Sequence, residues 1–158
     1  MKVLTEFFIL LNIAITTSLS TLFCIIGLST PGWHFGGYRS LFCDQCPKMP
    51  NTLAIMSMIL LIISLILLVL FIANVIEQEQ LTLMRYLIPA LLLISSIFLL
   101  ATLTSYLSFV DPNRGYSYRL MIVAFFCAYL ASLLSAFWLG NAGLVSKTYS
   151  LDKLGESR

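Results

Sequence analysis

Charged residues are absent from four long stretches of the chain, which consist mainly of Leu, Ile, Phe, Val and Ala. These stretches cover residues 7–28, 49–76, 86–110 and 120–146. Each exceeds the roughly 20 residues that an α-helix needs to cross about 30 Å of hydrocarbon. Their continuous apolar texture differs from the alternating pattern of barrel strands. The pattern therefore predicts an all-α membrane fold, a bundle of four transmembrane helices spanning about 7–28, 52–76, 86–107 and 118–145.

Short polar segments separate the four predicted spans. Ser-Thr-Pro-Gly at 29–32, Glu-Gln-Glu-Gln at 77–80 and Asp-Pro-Asn-Arg-Gly at 111–115 are typical breaks and turns. Pro89 falls in the predicted first turn of the third span, where its missing N–H costs little. We therefore expect one four-span domain over 1–158, with longer loops at about 29–51 and 108–117 and a tail at 146–158.

Composition narrows the class of function. The chain is 59% hydrophobic and only 10% charged, whereas soluble domains average about 25% charged residues. A net charge of +2 is too small to favour a nucleic-acid partner, so lipids are the expected surroundings. The four charge-free stretches contain no Asp, Glu, Lys, Arg or His, which argues against a pump or carrier driven by protons or ions. No cofactor is expected.

Orientation is predicted from charge and from cysteine placement. Four spans put both termini on one side. That side carries Lys2, Arg85, Lys147, Lys153 and Arg158, and the other carries Arg39, Lys48, Arg114 and Arg119. The excess of one basic residue favours cytosolic termini. A close cysteine pair in the 29–51 loop suits the oxidising side, so both longer loops are predicted to be extracellular and the 146–158 tail cytosolic.

The first long loop carries the chain's one close cysteine pair, Cys43 and Cys46. Three interpretations of this C-x-x-C compete. A structural disulfide would close a small ring and pin the loop, and we favour it. A redox-active pair is the second, because this spacing often lowers a thiol pKa. A metal site is disfavoured, because His34 would be one further ligand and a fourth is missing. Cys24 and Cys127 are expected to be small buried residues.

Polar residues of the first span and small residues of the fourth are both expected to serve helix packing. Hydroxyl and amide groups within a span are most simply explained by hydrogen bonds between helices, with a ligand or lipid head-group site as the alternative. The first span contains Asn12, Thr16, Thr17, Ser18, Ser20 and Thr21.

In the fourth span, small residues recur every fourth position and predict a ridge that lets another backbone approach closely. This ridge consists of Ala124, Ala128, Ser132, Ala136 and Gly140. Packing inside the bundle is the simpler interpretation of the ridge. A docking face for a partner or a second copy is the alternative.

The first loop also resembles a known family signature. Trp33, Gly37, Leu41 and Phe42, followed by two cysteines, are similar to the W…G-L-W…C…C pattern of the claudin, peripheral myelin protein and epithelial membrane protein superfamily. Phe42 stands where the second Trp would be. The segments 115–118 and 123–125 resemble the entry to the fourth span in that superfamily. The resemblance covers nearly the whole chain.

The resemblance implies a claudin-like tetraspan protein without catalytic activity. Members seal or shape cell contacts, organise membrane, or accompany ion channels as auxiliary subunits. We therefore expect a plasma-membrane protein whose partner is another integral membrane protein, at a channel or junction, or a second copy. Only two residues separate Cys43 from Cys46, so the loop has room for at most a short β hairpin. The sequence ends Gly-Glu-Ser-Arg at 155–158, without the hydrophobic last residue that scaffold domains capture.

An enzyme is the alternative. Bacterial four-span disulfide-generating quinone oxidoreductases also carry a C-x-x-C between their first two spans, where Cys43 and Cys46 lie. Such enzymes relay electrons through a second cysteine pair in the second outer loop. The 108–119 segment contains no cysteine. We therefore expect a non-enzymatic protein and keep the thiol-disulfide oxidoreductase as the competing hypothesis.

Overall fold

Four α-helices account for nearly all of the described chain. A computed structural model describes the backbone of residues 2–30, 48–73, 78–107 and 115–155, and the side chains of 6–30, 50–73, 83–107 and 115–140. The helices are α1 (Lys2–Ser29), α2 (Lys48–Ile72), α3 (Gln78–Leu107) and α4 (Tyr116–Gly155). Segments long and apolar enough to cross a membrane are Glu6–Ser29, Pro50–Ile72, Leu83–Leu107 and Tyr116–Gly140. The chain is a multi-pass membrane protein, and its four predicted apolar helices are confirmed.

The helices form a ring in which each packs on two neighbours. α4 makes its most extensive contact with α1, and α2 makes its most extensive contact with α3. Thr30, at the end of α1, bonds Ser117 at the start of α4, so these two helices run antiparallel. We call this the Thr30 end of the bundle. The opposite end, where Phe71 of α2 packs on Trp138 of α4, is the Trp138 end.

The core follows alternating steps of three and four residues on every helix. This is the spacing by which helices of a left-handed bundle keep one stripe turned inward. On α2 the buried positions are Pro50, Ala54, Ser57, Leu61, Ser64, Leu68 and Phe71. On α4 they include Met121, Ala124, Ala128, Ala131, Ser135 and Trp138. The interior is therefore built largely from small and hydroxyl-bearing residues, which lets the helices pack closely.

Large apolar side chains cover the outside of the bundle. Each helix exposes several such side chains, and examples that are about half exposed are Leu22, Ile66, Ile97 and Phe126. In water this surface would drive aggregation, but in a bilayer it contacts acyl chains. The outside is thus fitted to lipid, and the polar atoms of the spans lie largely inside.

Most buried hydroxyls bond the backbone of their own helix. Thr17 donates to the Ile13 carbonyl at 2.7 Å, and Thr102 donates to the Phe98 carbonyl at 2.8 Å. The same pattern holds for Ser57, Ser64, Ser95, Ser96, Ser132 and Ser135. The prediction that the polar residues of the first span bond between helices is therefore wrong for Asn12, Thr16, Thr17 and Thr21, whose described bonds stay within α1. Of the residues named in that prediction, Ser20 does bond another helix, α4.

Two sequence-based expectations about the spans need correction. α3 begins at Gln78, so Pro89 lies inside the helix and not in its first turn. A proline there cannot donate to the carbonyl of Arg85, four residues earlier. The spans also contain ionisable side chains near their ends, namely Glu6, Arg85 and Arg119. The helices extend past the charge-free stretches, because a helix continues into polar sequence once it leaves the hydrocarbon.

Candidate functional site

The α1–α4 seam is the tightest contact for which the structure gives distances. Ser20 donates to the carbonyl of Ala124 at 2.7 Å, and both residues are fully buried. A Cβ atom added to Gly27 would lie 2.9 Å from Cγ of Met121 and 3.4 Å from the carbonyl oxygen of Ser117. Glycine at 27 therefore sets how closely α1 and α4 approach.

Hydroxyls close the same seam at the Thr30 end. The Thr30 hydroxyl donates to the carbonyl of Ile26 at 2.7 Å, and the hydroxyl oxygens of Thr30 and Ser117 are 2.7 Å apart. Either hydroxyl can be the donor in the Thr30–Ser117 contact. The Ser117 hydroxyl also donates to the Thr30 carbonyl at 3.3 Å. Polar groups thus hold α1 and α4 together where the first long loop begins.

The small-residue ridge of α4 divides between the inside and the outside of the bundle. Ala124 and Ala128 are fully buried, and Ser132 is nearly so. Ala136 and Gly140 are exposed. A Cβ atom added to Gly140 would meet nothing within 4 Å, in contrast to Gly27. Three members of the ridge pack within the bundle, and two face outward.

The geometry of an α-helix explains this division. Each residue turns the helix by about 100°, so a step of four residues overshoots one turn by about 40°. Over the sixteen residues from Ala124 to Gly140 the overshoot reaches about 160°. A ridge with a strict four-residue period therefore winds from the core to the opposite face of α4. The five residues form a spiral, and they do not all lie on one face.

The outward part of the ridge has large neighbours on the same helix. Leu133 and Phe137 are exposed, with 48% and 61% of their side-chain surface accessible. Together with Ala136 and Gly140 they occupy positions i, i+3, i+4 and i+7 of one helical face. We call these four residues the outer patch. Its two small residues form a row beside the row of two large apolar side chains, which leaves a shallow hollow along one side of them, the relief that a second membrane helix fits.

A second feature lies at the Trp138 end. The guanidinium carbon of Arg85 is 5.8 Å from the ring centroid of Trp138, within the range of a cation–π interaction. Phe71 packs edge-on against the same ring, with centroids 5.3 Å apart and an interplanar angle of 82°. Trp138 is only 4% exposed. We call Phe71, Arg85 and Trp138 the arginine cluster. Sequence reasoning missed it because Arg85 was placed outside the span.

Most other predicted site residues lie in the 31–47 segment, outside the described residues. They are Trp33, Gly37, Leu41, Phe42, Cys43 and Cys46. The disulfide, the short hairpin and the family signature therefore stay predictions. Cys24 is a free thiol, buried on α1 beside Ser57 of α2, and Cys127 is a free, half-buried thiol on α4. Within the described ranges, no three His, Cys, Asp or Glu side chains are grouped as metal ligands.

Comparison with models of known protein families and with curated protein sequences finds no match for this chain.

Proposed function

We propose that this chain is a claudin-like tetraspan protein that works without catalysis, through lateral contact with another integral membrane protein or with a second copy. Its role is that of a channel or receptor auxiliary subunit, or of an organiser of junctions and membrane. The observation that carries the proposal is the outer patch, where Ala136 and Gly140 lie exposed beside Leu133 and Phe137.

The packing of the interior supports the same proposal. The inner part of the ridge is occupied by the bundle itself, because Ala124 accepts a hydrogen bond from Ser20 and Ala128 is fully buried. The outer part is of the same small-residue type and is not covered within the described chain. Small residues let two membrane helices approach closely, and this is the main source of their attraction in lipid.

The proposal includes an orientation. The termini are cytosolic, and the segments around 31–47 and 108–114 are extracellular, in the plasma membrane. The excess of basic residues on the termini side and the loop pair Cys43 and Cys46 support this orientation. The outer patch then lies in the cytosolic leaflet, because Gly140 is at the Trp138 end, where the described part of α1 begins.

Photo-crosslinking in native membranes tests the outer patch. A photoreactive phenylalanine analogue at position 137 should yield discrete protein adducts, whereas the same analogue at 126 should yield lipid adducts. Phe126 and Phe137 are similarly exposed aromatic residues of one helix, so the probe and its exposure are matched. Protein adducts of one size at 137 would identify either a second copy or a partner by mass.

A pair of identical substitutions provides the control for packing. Ala136→Leu fills the hollow of the outer patch and should abolish the adducts at 137. Ala90→Leu makes the same change at another exposed alanine, on α3, and should leave them unchanged. Lipid adducts alone at both positions, in every membrane tested, would overturn the lateral-contact proposal. Quinone-dependent thiol oxidation that is lost in Cys43→Ser would overturn its non-enzymatic part.

A further inference from the structure

Arg85 occupies a core position of α3. The inward positions of that helix follow steps of three and four residues: Ile88, Leu92, Ser95, Leu99, Thr102 and Tyr106. Arg85 precedes Ile88 by three residues and so continues this inward series. Its guanidinium lies over Trp138 of α4, itself a core residue, which confirms the inward direction. Arg85 is therefore a charged residue at the mouth of the bundle, and it does not lie along the lipid-facing surface.

The arginine cluster holds the guanidinium but does not neutralise it. The Trp138 ring offers a cation–π surface worth about 0.5–2 kcal/mol, and Phe71 fixes the ring from its edge. Nε of Arg85 is buried and has no hydrogen-bond partner among the described residues. Arg85 as a whole is half-buried, and a charge held partly out of water in a membrane protein is normally paired, because an unpaired charge in a medium of low dielectric constant is costly. This position therefore calls for an anion.

The depth of Arg85 indicates which anion. Arg85 directly precedes the charge-free stretch that begins at Tyr86, which places it near the boundary between hydrocarbon and head groups. Leu83 and Tyr86, on either side of it, are 68% and 61% exposed and face the surroundings of the bundle. Basic pockets between transmembrane helices at this depth bind lipid head groups. The planar fork of arginine matches the oxygens of a phosphate, which it binds through parallel hydrogen bonds.

We propose that Arg85 binds the phosphate of a phospholipid head group at the Trp138 end of the bundle. The phosphate enters between α3 and α4, and the N–H groups of the Arg85 guanidinium, including Nε–H, donate to its oxygens while the ring of Trp138 supports the guanidinium from beneath. The acyl chains lie along the exposed apolar residues of α3. The ligand class is an anionic phospholipid, and free inorganic phosphate is the competing source of the same chemistry.

Binding of palmitoyl-oleoyl phosphatidic acid to the detergent-purified full chain tests this proposal by native mass spectrometry. Diacylglycerol with the same acyl chains is the matched ligand control, because it lacks only the phosphate. We expect the chain to retain phosphatidic acid at least about tenfold more tightly than diacylglycerol, as one charged bidentate contact provides. Inorganic phosphate is tested separately in the millimolar range.

Four variants test whether Arg85 is the residue that binds phosphatidic acid. Arg85→Gln should bind phosphatidic acid no better than diacylglycerol. Arg85→Lys keeps the charge but not the fork, so its affinity should fall between the two. Arg119→Gln removes an arginine at the Thr30 end and should bind as the unmodified chain does. In a Trp33→Phe background Trp138 is the one remaining indole, so its emission should shift when phosphatidic acid is added.

Several outcomes would overturn the proposal. Equal retention of phosphatidic acid by the unmodified chain and by Arg85→Gln would remove Arg85 as the binding residue. A shift of Trp138 emission with inorganic phosphate but not with phosphatidic acid would make free phosphate the ligand. Binding that appears only in Glu77→Gln or Glu79→Gln would show that a carboxylate of the chain already pairs with Arg85. If Arg85→Gln fails to fold, Arg85→Lys and Trp138 emission decide by the same criteria.

Discussion

Buried hydroxyl groups are satisfied in two different ways, across the α1–α4 seam and within single helices of the bundle. Across this seam, Ser20 bonds the backbone of α4 and Thr30 bonds Ser117, while Gly27 allows a close approach. On α2 and α3, by contrast, Ser64 and Thr102 bond carbonyls of their own helices. Both arrangements satisfy a polar group in lipid. The bonds of Ser20 and Thr30 tie two helices together, whereas those of Ser64 and Thr102 stay within one helix, so the same residue type contributes to helix association at one place and to helix insertion at another.

Gly27→Leu should give the largest effect, because the new side chain has no space in the α1–α4 seam. Even its Cβ would lie 2.9 Å from Cγ of Met121. We expect the free energy of unfolding in micelles to fall by about 3 kcal/mol, the upper range for overpacking a tight core. Steric trapping, or thermal unfolding followed by size-exclusion chromatography, measures the change.

Gly140→Leu is the matched control for that prediction. Both glycines are helical and both gain the same intrinsic helix propensity, so the difference between the variants reports packing alone. Nothing lies within 4 Å of a Cβ at position 140, and stability should stay within about 0.5 kcal/mol. Equal losses in the two variants would show that the α1–α4 seam is no tighter than the outer patch.

Ser20→Ala compared with Ser64→Ala separates the two uses of a hydroxyl. Ser20 donates across to Ala124, and its loss should cost about 1 kcal/mol, as for other hydrogen bonds between membrane helices. Ser64 donates to Leu60 on its own helix, and its loss should change stability by less than about 0.5 kcal/mol. A larger loss in Ser64→Ala than in Ser20→Ala, measured in the same micelles, would reverse the comparison.

A double-mutant cycle on Thr30 and Ser117 should show the smallest effect. Thr30→Val and Ser117→Ala each remove one side of the 2.7 Å contact, and their coupling energy should be about 0.6 kcal/mol. Pairing Thr30→Val with Ser64→Ala, whose sites share no contact, should give additive changes. Additivity in the Thr30–Ser117 cycle as well would mean that the two hydroxyls do not bind each other in the folded bundle.

The four spans could be predicted from sequence because lipid imposes a simple rule: about 20 apolar residues without charge. The bounds of the helices could not. α3 starts at Gln78, eight residues before the charge-free stretch, since a helix needs apolar sequence only where it meets hydrocarbon. For the same reason the sequence places Arg85 in the segment before the third span. Its position in the inward series of α3 follows from the burial of Ile88 and Leu92 in the structure.

The periodicity of the sequence determines neither the partner of a buried hydroxyl nor the face of the helix on which each small residue lies. A serine in a membrane helix can bond its own backbone or a neighbour, and the choice depends on how near the next helix lies. The distances at Ser20 and Ser64 settle this, and the residue type does not. The ridge from Ala124 to Gly140 has the right composition throughout, but its drift of about 40° per step places its two ends on different faces.

The length of α4 has a consequence beyond the bilayer. From Lys147, the first charged residue after the apolar stretch, to Gly155 the helix continues without a break for eight residues, about 12 Å at 1.5 Å per residue. A reporter fused just after Gly155 would therefore be joined rigidly to α4, without a flexible linker. Any rotation or tilt of α4 within the lipid would displace that reporter. The carboxyl-terminal end of α4 is therefore a suitable labelling position for measuring motions of the bundle.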